Sequence, residues 1–288
     1  MLQPVVLMSL CQAFRRRAAR TWDLIDRAER SKHRLGEETI TDLNLLELKE
    51  RHPSEIIVTT YTKPVEGREG ADWEWWLTGR SKLWLGFRVQ AKIIDTSTAT
   101  FPHLHYRKNA NSPYQSDTLI TRSLTAVPPR IPVYCLYSYW APSFGNPVWD
   151  CRRFPPRAHA YGCSLLSAYA VVRLRISAAA NALSHVRPDM TPWHCLICCS
   201  GYGGGDLPTR ASSYWRATRL EKDRQVLSLR PGADDAGSAD LFATYARIAP
   251  VDSPPAYVLA AMEGIAVEER DPALQGLFIV SEGRGVAA

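Results

Sequence analysis

Apolar positions in the first half of the chain alternate between two spacings. From residue 7 to 32, Leu7, Leu10, Phe14, Trp22 and Ile25 recur at helical intervals among Arg and Glu. This predicts an amphipathic helix with a basic outer face, ended by Gly36. "EETITDLNLLELKERHP" sets Ile40, Leu43, Leu46 and Leu48 roughly along one side and stops at Pro53, a second helix. The period then shortens to that of strands. "EIIVTTYT", "ADWEWWLT" and "LWLGFRVQAKIID" are β-branched and aromatic runs that predict three strands, the last two joined by the polar turn "GRSK". "SPYQSDTLITRSLTAV" returns to helical spacing through Tyr114, Leu119, Ile120 and Leu124, and "IPVYCLYSYW" predicts a buried strand. Helix, helix, three strands, helix, strand is the order of an α/β layer structure with a mixed central sheet flanked by helices.

The pattern loosens from about residue 142. "APSFGNPVWDCRRFPPRAHAYG" is rich in Pro, Gly and Arg and reads as an irregular excursion. "SLLSAYAVVRLRISAAANAL" predicts a helix, "WHCLICC" a short strand, and residues 203 to 240 a loop-rich stretch with one basic helix around "YWRATRLEKDRQVL". A helix near "PPAYVLAAMEGIA" and a strand "GLFIVSEG" follow. These breaks suggest three parts: an N-terminal amphipathic helix (1–32), a core (33–141), and a C-terminal α/β elaboration (142–288) packing on that core.

Composition narrows the function only slightly. With 288 residues, 45% of them hydrophobic, the chain can bury an enzyme-sized core. Its net charge of +6 suits an anionic partner without resembling a histone-like tail. No run of eighteen apolar residues is present, so no membrane partner is expected. In "MLQPVVLMSLCQAFRRRAAR" the positive charges follow the apolar segment, the reverse of a secretory signal, which predicts a cytoplasmic protein. Seven Cys, an odd set scattered through apolar runs, are expected to be reduced thiols.

The second and third predicted strands carry the candidate chemistry. Side chains two apart on a strand share a face, which groups Asp72 with Glu74 and Gln90 with Lys92. A turn centred near Ser81 sets Asp72 opposite Gln90 and gathers the four groups on one side, whereas a slip of one residue would scatter them. Phosphodiester hydrolysis uses a divalent cation to offset phosphate charge and acidify the attacking water. Mg²⁺ takes oxygen ligands, which Asp72, the Gln90 amide and the Ala91 backbone carbonyl can offer. Lys92 is placed to orient water and stabilise developing negative charge.

An acid on a leading helix, then Asp, then Gln-x-Lys on the next strand resembles the PD-(D/E)xK restriction-endonuclease-like nucleases. The pieces here are Glu38 in "GEETITD", Asp72 in "GADWEWW", and Gln90-Ala91-Lys92. The Gln is similar to the Mrr-like variant, and the wording of "GADWEWW", "QAK" and "YQSDTLI" also resembles a bacterial family of unknown function related to these enzymes. The likeness covers about residues 33 to 140. It implies a restriction-endonuclease-like fold and a Mg²⁺- or Mn²⁺-dependent nuclease in prokaryotic, anti-phage defence, cutting DNA in preference to RNA. It further implies Asp72, Gln90, Ala91 and Glu38 as metal ligands and Lys92 as the catalytic base or water-positioning group. A homodimer or a defence-system protein is the protein partner it allows. Two departures matter: Ala71 stands where the family has Pro, and the neutral Gln90 removes one negative charge, which Glu38 or Glu74 would have to replace. Glu37 competes with Glu38 for the helix position, and the family pattern favours Glu38. The alternative is a non-catalytic nucleic-acid or protein-interaction module built on a decayed nuclease fold.

Other features are weaker. Gln115 and Asp117, at the start of the helix after Gln-x-Lys, either flank the site, with Tyr114, or cap the helix. Cys195, Cys198 and Cys199, with His194, Cys151 and Cys163, suggest zinc, but Cys195 and Cys198 fall in a strand-like run where i and i+3 point oppositely and no second CxxC follows, so buried thiols are expected. "GYGGGDLPTR" lacks the Lys-Ser/Thr of a nucleotide loop. His103 and His105 are read as loop histidines. Arg15 to Arg17, Arg152, Arg153, Arg157 and Arg216 to Arg224, interleaved with aromatics, could grip a phosphate backbone.

Overall fold

The computed structural model describes residues 8–61, 72–141, 145, 151–177, 181–198, 204–228, 236–265 and 274–283. Seven strands are formed: β1 (Ile56–Thr60), β2 (Trp73–Thr78), β3 (Trp84–Ile93), β4 (Ile131–Tyr137), β5 (Cys163–Ser167), β6 (Thr191–Pro192) and β7 (Gly276–Ser281). They make one mixed sheet in the order β1-β7-β2-β3-β4-β5-β6. The pairs β2–β7 and β3–β4 are parallel and the others antiparallel. The expected α/β class with a mixed sheet and flanking helices is therefore present. The sheet does not respect the expected boundary at residue 142. Three strands come from beyond it, and β7 lies between β1 and β2.

The hairpin has the register expected from its turn, with Trp73 opposite Val89 and Glu74 opposite Arg88. Pleat parity then divides the side chains. Trp73, Trp75, Leu77, Phe87 and Val89 enter the larger core with Phe14 of α1 (Leu10–Arg30) and Leu45 and Leu48 of α2 (Glu37–Arg51). Trp76 and Trp84, of the other parity, form a smaller cluster with Leu277, Ile279 and Val258, the last from α10 (Ala256–Met262). Gly276 is required where it pairs with Trp73, since a Cβ there would sit 2.1 Å from the indole.

The helical layers are fastened by buried polar contacts as well as by apolar area. Arg17 of α1 is inside the protein, ion-paired with Glu47 and bonded to Asn44 at 2.9 Å, both on α2. Gly162 lets α1 approach the segment before β5, because a Cβ there would meet the Ala18 carbonyl oxygen at 2.0 Å. α3 (Gln115–Leu124) links β3 to β4 as a parallel crossover.

Several local expectations are overturned. The helix read through "SLLSAYAVVRLRI" is strand β5 followed by α4 (Ala168–Ile176), divided by Ser167, whose hydroxyl accepts from the Tyr169 N–H at 3.1 Å. After α5 (Leu183–Val186), "HCLIC" is helix α6 (His194–Cys198) and not a strand; a short run buried all round has no periodicity to separate the two. The loop-rich stretch holds α7 (Leu207–Trp215), a π-helical turn Arg216–Leu220, α8 (Glu221–Ser228) and the start of α9 (Ala236–Arg247). The thiols are not all reduced. Packing of α1 against α6 brings Cys11 and Cys198 to a Cα–Cα separation of 5.2 Å, and they form a disulfide. Cys135, Cys151, Cys163 and Cys195 take no part in a disulfide and are all buried, whereas Cys199 lies outside the described residues. Among the described residues no helix is long and apolar enough to cross a membrane.

Candidate active site

Asp72 immediately precedes β2, and its backbone N–H donates to the Val89 carbonyl at 2.9 Å, continuing the ladder. The same carboxylate oxygen, Oδ2, accepts from the Gln90 side-chain amide at 2.6 Å and from the Ala91 backbone N–H at 2.8 Å. Gln90 in turn accepts at Oε1 from the Gln115 amide at 2.9 Å. A chain Asp72–Gln90–Gln115 therefore ties β2, β3 and the first residue of α3 together. The carboxylate can only accept, which fixes the Gln90 nitrogen toward Asp72 and its oxygen toward Gln115.

Lys92, next on the same face of β3, is 6% exposed, and its Nζ lies 3.9 Å from Glu37 Oε2. Glu37 Oε1 also accepts from the Ile93 N–H at 3.2 Å. Glu37 is the first residue of α2 and Gln115 the first of α3. Two helix N-termini, each carrying a partial positive charge, thus meet one end of β3 through their first side chains.

A groove of about 590 Å³ opens beside this group, lined among others by Glu37, Glu38, Asp42, Lys49, Asp72 and Ala91. Four of these six are carboxylates, hard oxygens of the kind Mg²⁺ or Mn²⁺ would take, but among the described residues no three acids of the groove bring their ligand atoms within 4.8 Å of one another. Both of the bonds that the Asp72 carboxylate receives from Gln90 and Ala91 fall on Oδ2. Burial pushes the Asp72 carboxyl up to about 6, against the opposing pull of the Ala91 N–H, Lys92 and the Gln90 amide; nearby Glu37 adds to the rise. A cation in the groove would reverse that effect and hold the group ionised.

The sequence-predicted residues divide into three sets. Asp72, Gln90, Ala91, Lys92 and Gln115 are brought together as described. Glu38 lines the groove with Asp72, but Glu37, its rival for the helix position, is the acid that meets Lys92. Glu74 belongs to a different arrangement. Fully buried, it pairs with Arg88 at 3.1 Å and Arg130 at 3.0 Å, accepts from the Trp76 indole at 3.1 Å, and is bonded by the Tyr257 hydroxyl. His103 lines another groove, with Asp95 and Lys32. Of the arginines read as a phosphate grip, Arg17 and Arg219 are buried and engaged internally, with Glu47 and Thr191 respectively. Asp117 is held by Arg175 at 2.9 Å, which fixes the start of α3 to α4. The zinc reading changes as well. Cys198 is committed to the disulfide and Cys163 is bonded with Asn44 and Thr21, but Cys151, His194 and Cys195 place their ligand atoms within 4.8 Å of one another.

The fold and this group define an α/β protein with a carboxylate–amide–lysine cluster at one end of a hairpin, beside an acidic groove. The chain belongs to DUF6615, a family of unknown function, whose model matches residues 10–285. That match runs from α1 to beyond β7 and so includes every strand of the sheet. No curated protein and no solved structure matches the chain.

Proposed function

We propose that the protein is a Mg²⁺- or Mn²⁺-dependent nuclease that hydrolyses phosphodiester bonds, DNA before RNA, with Asp72 and Lys92 as its essential side chains. The observation that carries this reading is the juxtaposition of Asp72, Gln90 and Lys92 with the Glu37 carboxylate, beside a groove that Asp72 and Glu37 line with further acids. Its likeness to the PD-(D/E)xK pattern supports the same conclusion and suggests a role in prokaryotic defence.

In this reading Asp72, with help from Glu37 or Glu38, holds the cation. When bound, that cation supplies positive charge to the phosphate and lowers the pKa of an attacking water. Gln90 serves chiefly as a brace: its nitrogen fixes the Asp72 rotamer, and Gln115 fixes Gln90. Lys92, released from Glu37 by an entering phosphate, positions water and stabilises the charge that develops on the phosphoryl oxygens. The N-termini of α2 and α3 favour the same negative charge. A cytoplasmic setting follows from the substrate and not from the Cys11–Cys198 bond, which oxidising compartments favour.

The test is cleavage of plasmid DNA and of RNA with Mg²⁺ or Mn²⁺ by wild type, Asp72→Ala and Lys92→Ala. Cleavage by wild type alone supports the proposal, with each variant reduced by 100-fold or more, on the order of 3 kcal/mol of lost transition-state stabilisation. Equal cleavage by all three proteins, or cleavage that persists in chelator, would sink it, and no cleavage by wild type would leave the interaction-module reading.

A further inference from the structure

We propose that Cys151, His194 and Cys195 form a second metal site, of the zinc class, separate from the carboxylate groove. All three residues are buried: His194 and Cys195 are 0% exposed and Cys151 6%. Their ligand atoms lie within 4.8 Å of one another, with His194 Nε2 3.8 Å from Cys195 Sγ. Around a tetrahedral ion with Zn–S of about 2.3 Å and Zn–N of about 2.0–2.1 Å, an S-to-N edge spans roughly 3.6 Å and an S-to-S edge roughly 3.8 Å. The measured pair is therefore already at ligand spacing, and the third atom has about 1 Å or less to travel.

His194 and Cys195 open a helix instead of alternating along a strand, so pleat parity does not separate their side chains. Their helix is held from both sides. Cys198 bonds it covalently to α1, and the Trp193 indole, one residue before it, donates to the Phe14 carbonyl of α1 at 2.8 Å. Such rigidity favours binding, since little ordering remains for the ion to impose.

Ligand chemistry separates this site from the groove. Two sulfurs and an imidazole suit Zn²⁺, whereas Mg²⁺ requires oxygen. On binding, each Cys Sγ–H bond is replaced by an Sγ–metal bond and its proton passes to solvent, so two thiolates neutralise a divalent ion. The arrangement can then stay buried. Arg15, whose guanidinium stacks 3.6 Å over the Phe154 ring, lies close enough to both sulfurs to interact with them. Phe154 also covers the imidazole, ring centroids 6.1 Å apart. Three protein ligands leave one coordination position, which water can fill. The physical result is a clamp between the segment at Cys151 and α6.

The experiment uses the full chain, purified, stripped with chelator under a thiol-free reductant, and exposed to one equivalent of Zn²⁺ or Co²⁺ per chain with Mg²⁺ in large excess to occupy the carboxylate groove. One zinc per chain by elemental analysis is expected, together with sulfur-to-cobalt charge-transfer absorption in the Co²⁺ form. Cys195→Ser and Cys151→Ser should each lower bound zinc at least tenfold, while Cys198→Ser and Asp72→Ala retain it. The wild-type Co²⁺ spectrum decides the matter even if a ligand variant fails to fold. Less than a tenth of an equivalent of zinc without charge-transfer absorption, or full zinc in Cys195→Ser, would overturn the proposal. Loss of zinc in Asp72→Ala would overturn the separation of the two sites. Nuclease activity, present or absent, enters none of these readings.

Discussion

Replacing Glu74 with glutamine separates scaffold from chemistry at the hairpin. The carboxylate is 0% exposed and is the negative charge between Arg88 and Arg130, themselves 4% exposed, at 3.1 and 3.0 Å. At an effective dielectric near 20, each attraction at about 4 Å between charge centres is worth roughly 4 kcal/mol. Repulsion between the two guanidiniums and the cost of burying all three groups offset much of that sum. Glutamine keeps an acceptor for the Trp76 indole or the Tyr257 hydroxyl but removes the carboxylate with which both buried cations pair. Removing one partner of a buried ion pair typically costs about 3–5 kcal/mol. We therefore expect Glu74→Gln to lose about 3 kcal/mol or more, a large part of a total stability of about 5–15 kcal/mol. At about 2–4 °C per kcal/mol the melting temperature should fall by roughly 6–12 °C. Urea unfolding followed by Trp fluorescence gives the free energy, and differential scanning calorimetry the temperature. At a temperature where the variant is folded, Mn²⁺ affinity should stay within twofold of wild type, because none of the bonds to Glu74 involves Asp72, Gln90 or Lys92. A melting temperature within about 1 °C of wild type would refute the energetic reasoning. Unchanged stability with lost Mn²⁺ binding would move Glu74 into the site.

Two further outcomes follow from the packing. Gly276→Ala forces a methyl against Trp73, the neighbour of Asp72 in sequence, at a contact of 2.1 Å; we expect about 1–3 kcal/mol of destabilisation and weaker Mn²⁺ binding, and wild-type values for both would show that the strand shifts at no cost. Asp223, 1% exposed and bonded by the Tyr245 hydroxyl at 2.6 Å, is pushed up to about 7 by burial. Because this folded value lies above the unfolded one, near 3.9, the contribution to stability is complete below about pH 4 and is lost as pH rises toward 7. Between pH 5 and 7 the loss is on the order of 3 kcal/mol, and it levels off above 7. Urea midpoints across this range should fall in wild type and stay flatter in Asp223→Asn; parallel slopes would assign the pH dependence to other groups.

The hairpin was legible because its register is decided locally. A short polar turn centred near Ser81 and the alternation of aromatic with polar side chains admit one pairing, and Asp72 meets Gln90 through it. The acid that meets Lys92 was not fixed by sequence, since Glu37 and Glu38 are adjacent and only the angle at which α2 enters selects between them. Glu74 shares a strand face with Asp72, yet β3 places Arg88 opposite it, and that pairing draws it into a buried ion network. β7 reads as a strand, but its insertion between β1 and β2 depends on pairing across some two hundred residues. Nor could the Cys/His group be assembled beforehand: Cys151 sits in an irregular segment, and α6 is too short and too apolar to declare itself a helix.

In the proposed nuclease, Asp72 anchors a catalytic divalent cation. The most direct test of that role is titration of Mn²⁺ into the chelator-stripped full chain, with free Mn²⁺ followed by electron paramagnetic resonance. Wild type and Lys92→Ala should each bind one Mn²⁺ per chain, and Asp72→Ala should bind at least tenfold more weakly. Undiminished binding by Asp72→Ala, or no binding by wild type, would contradict the account.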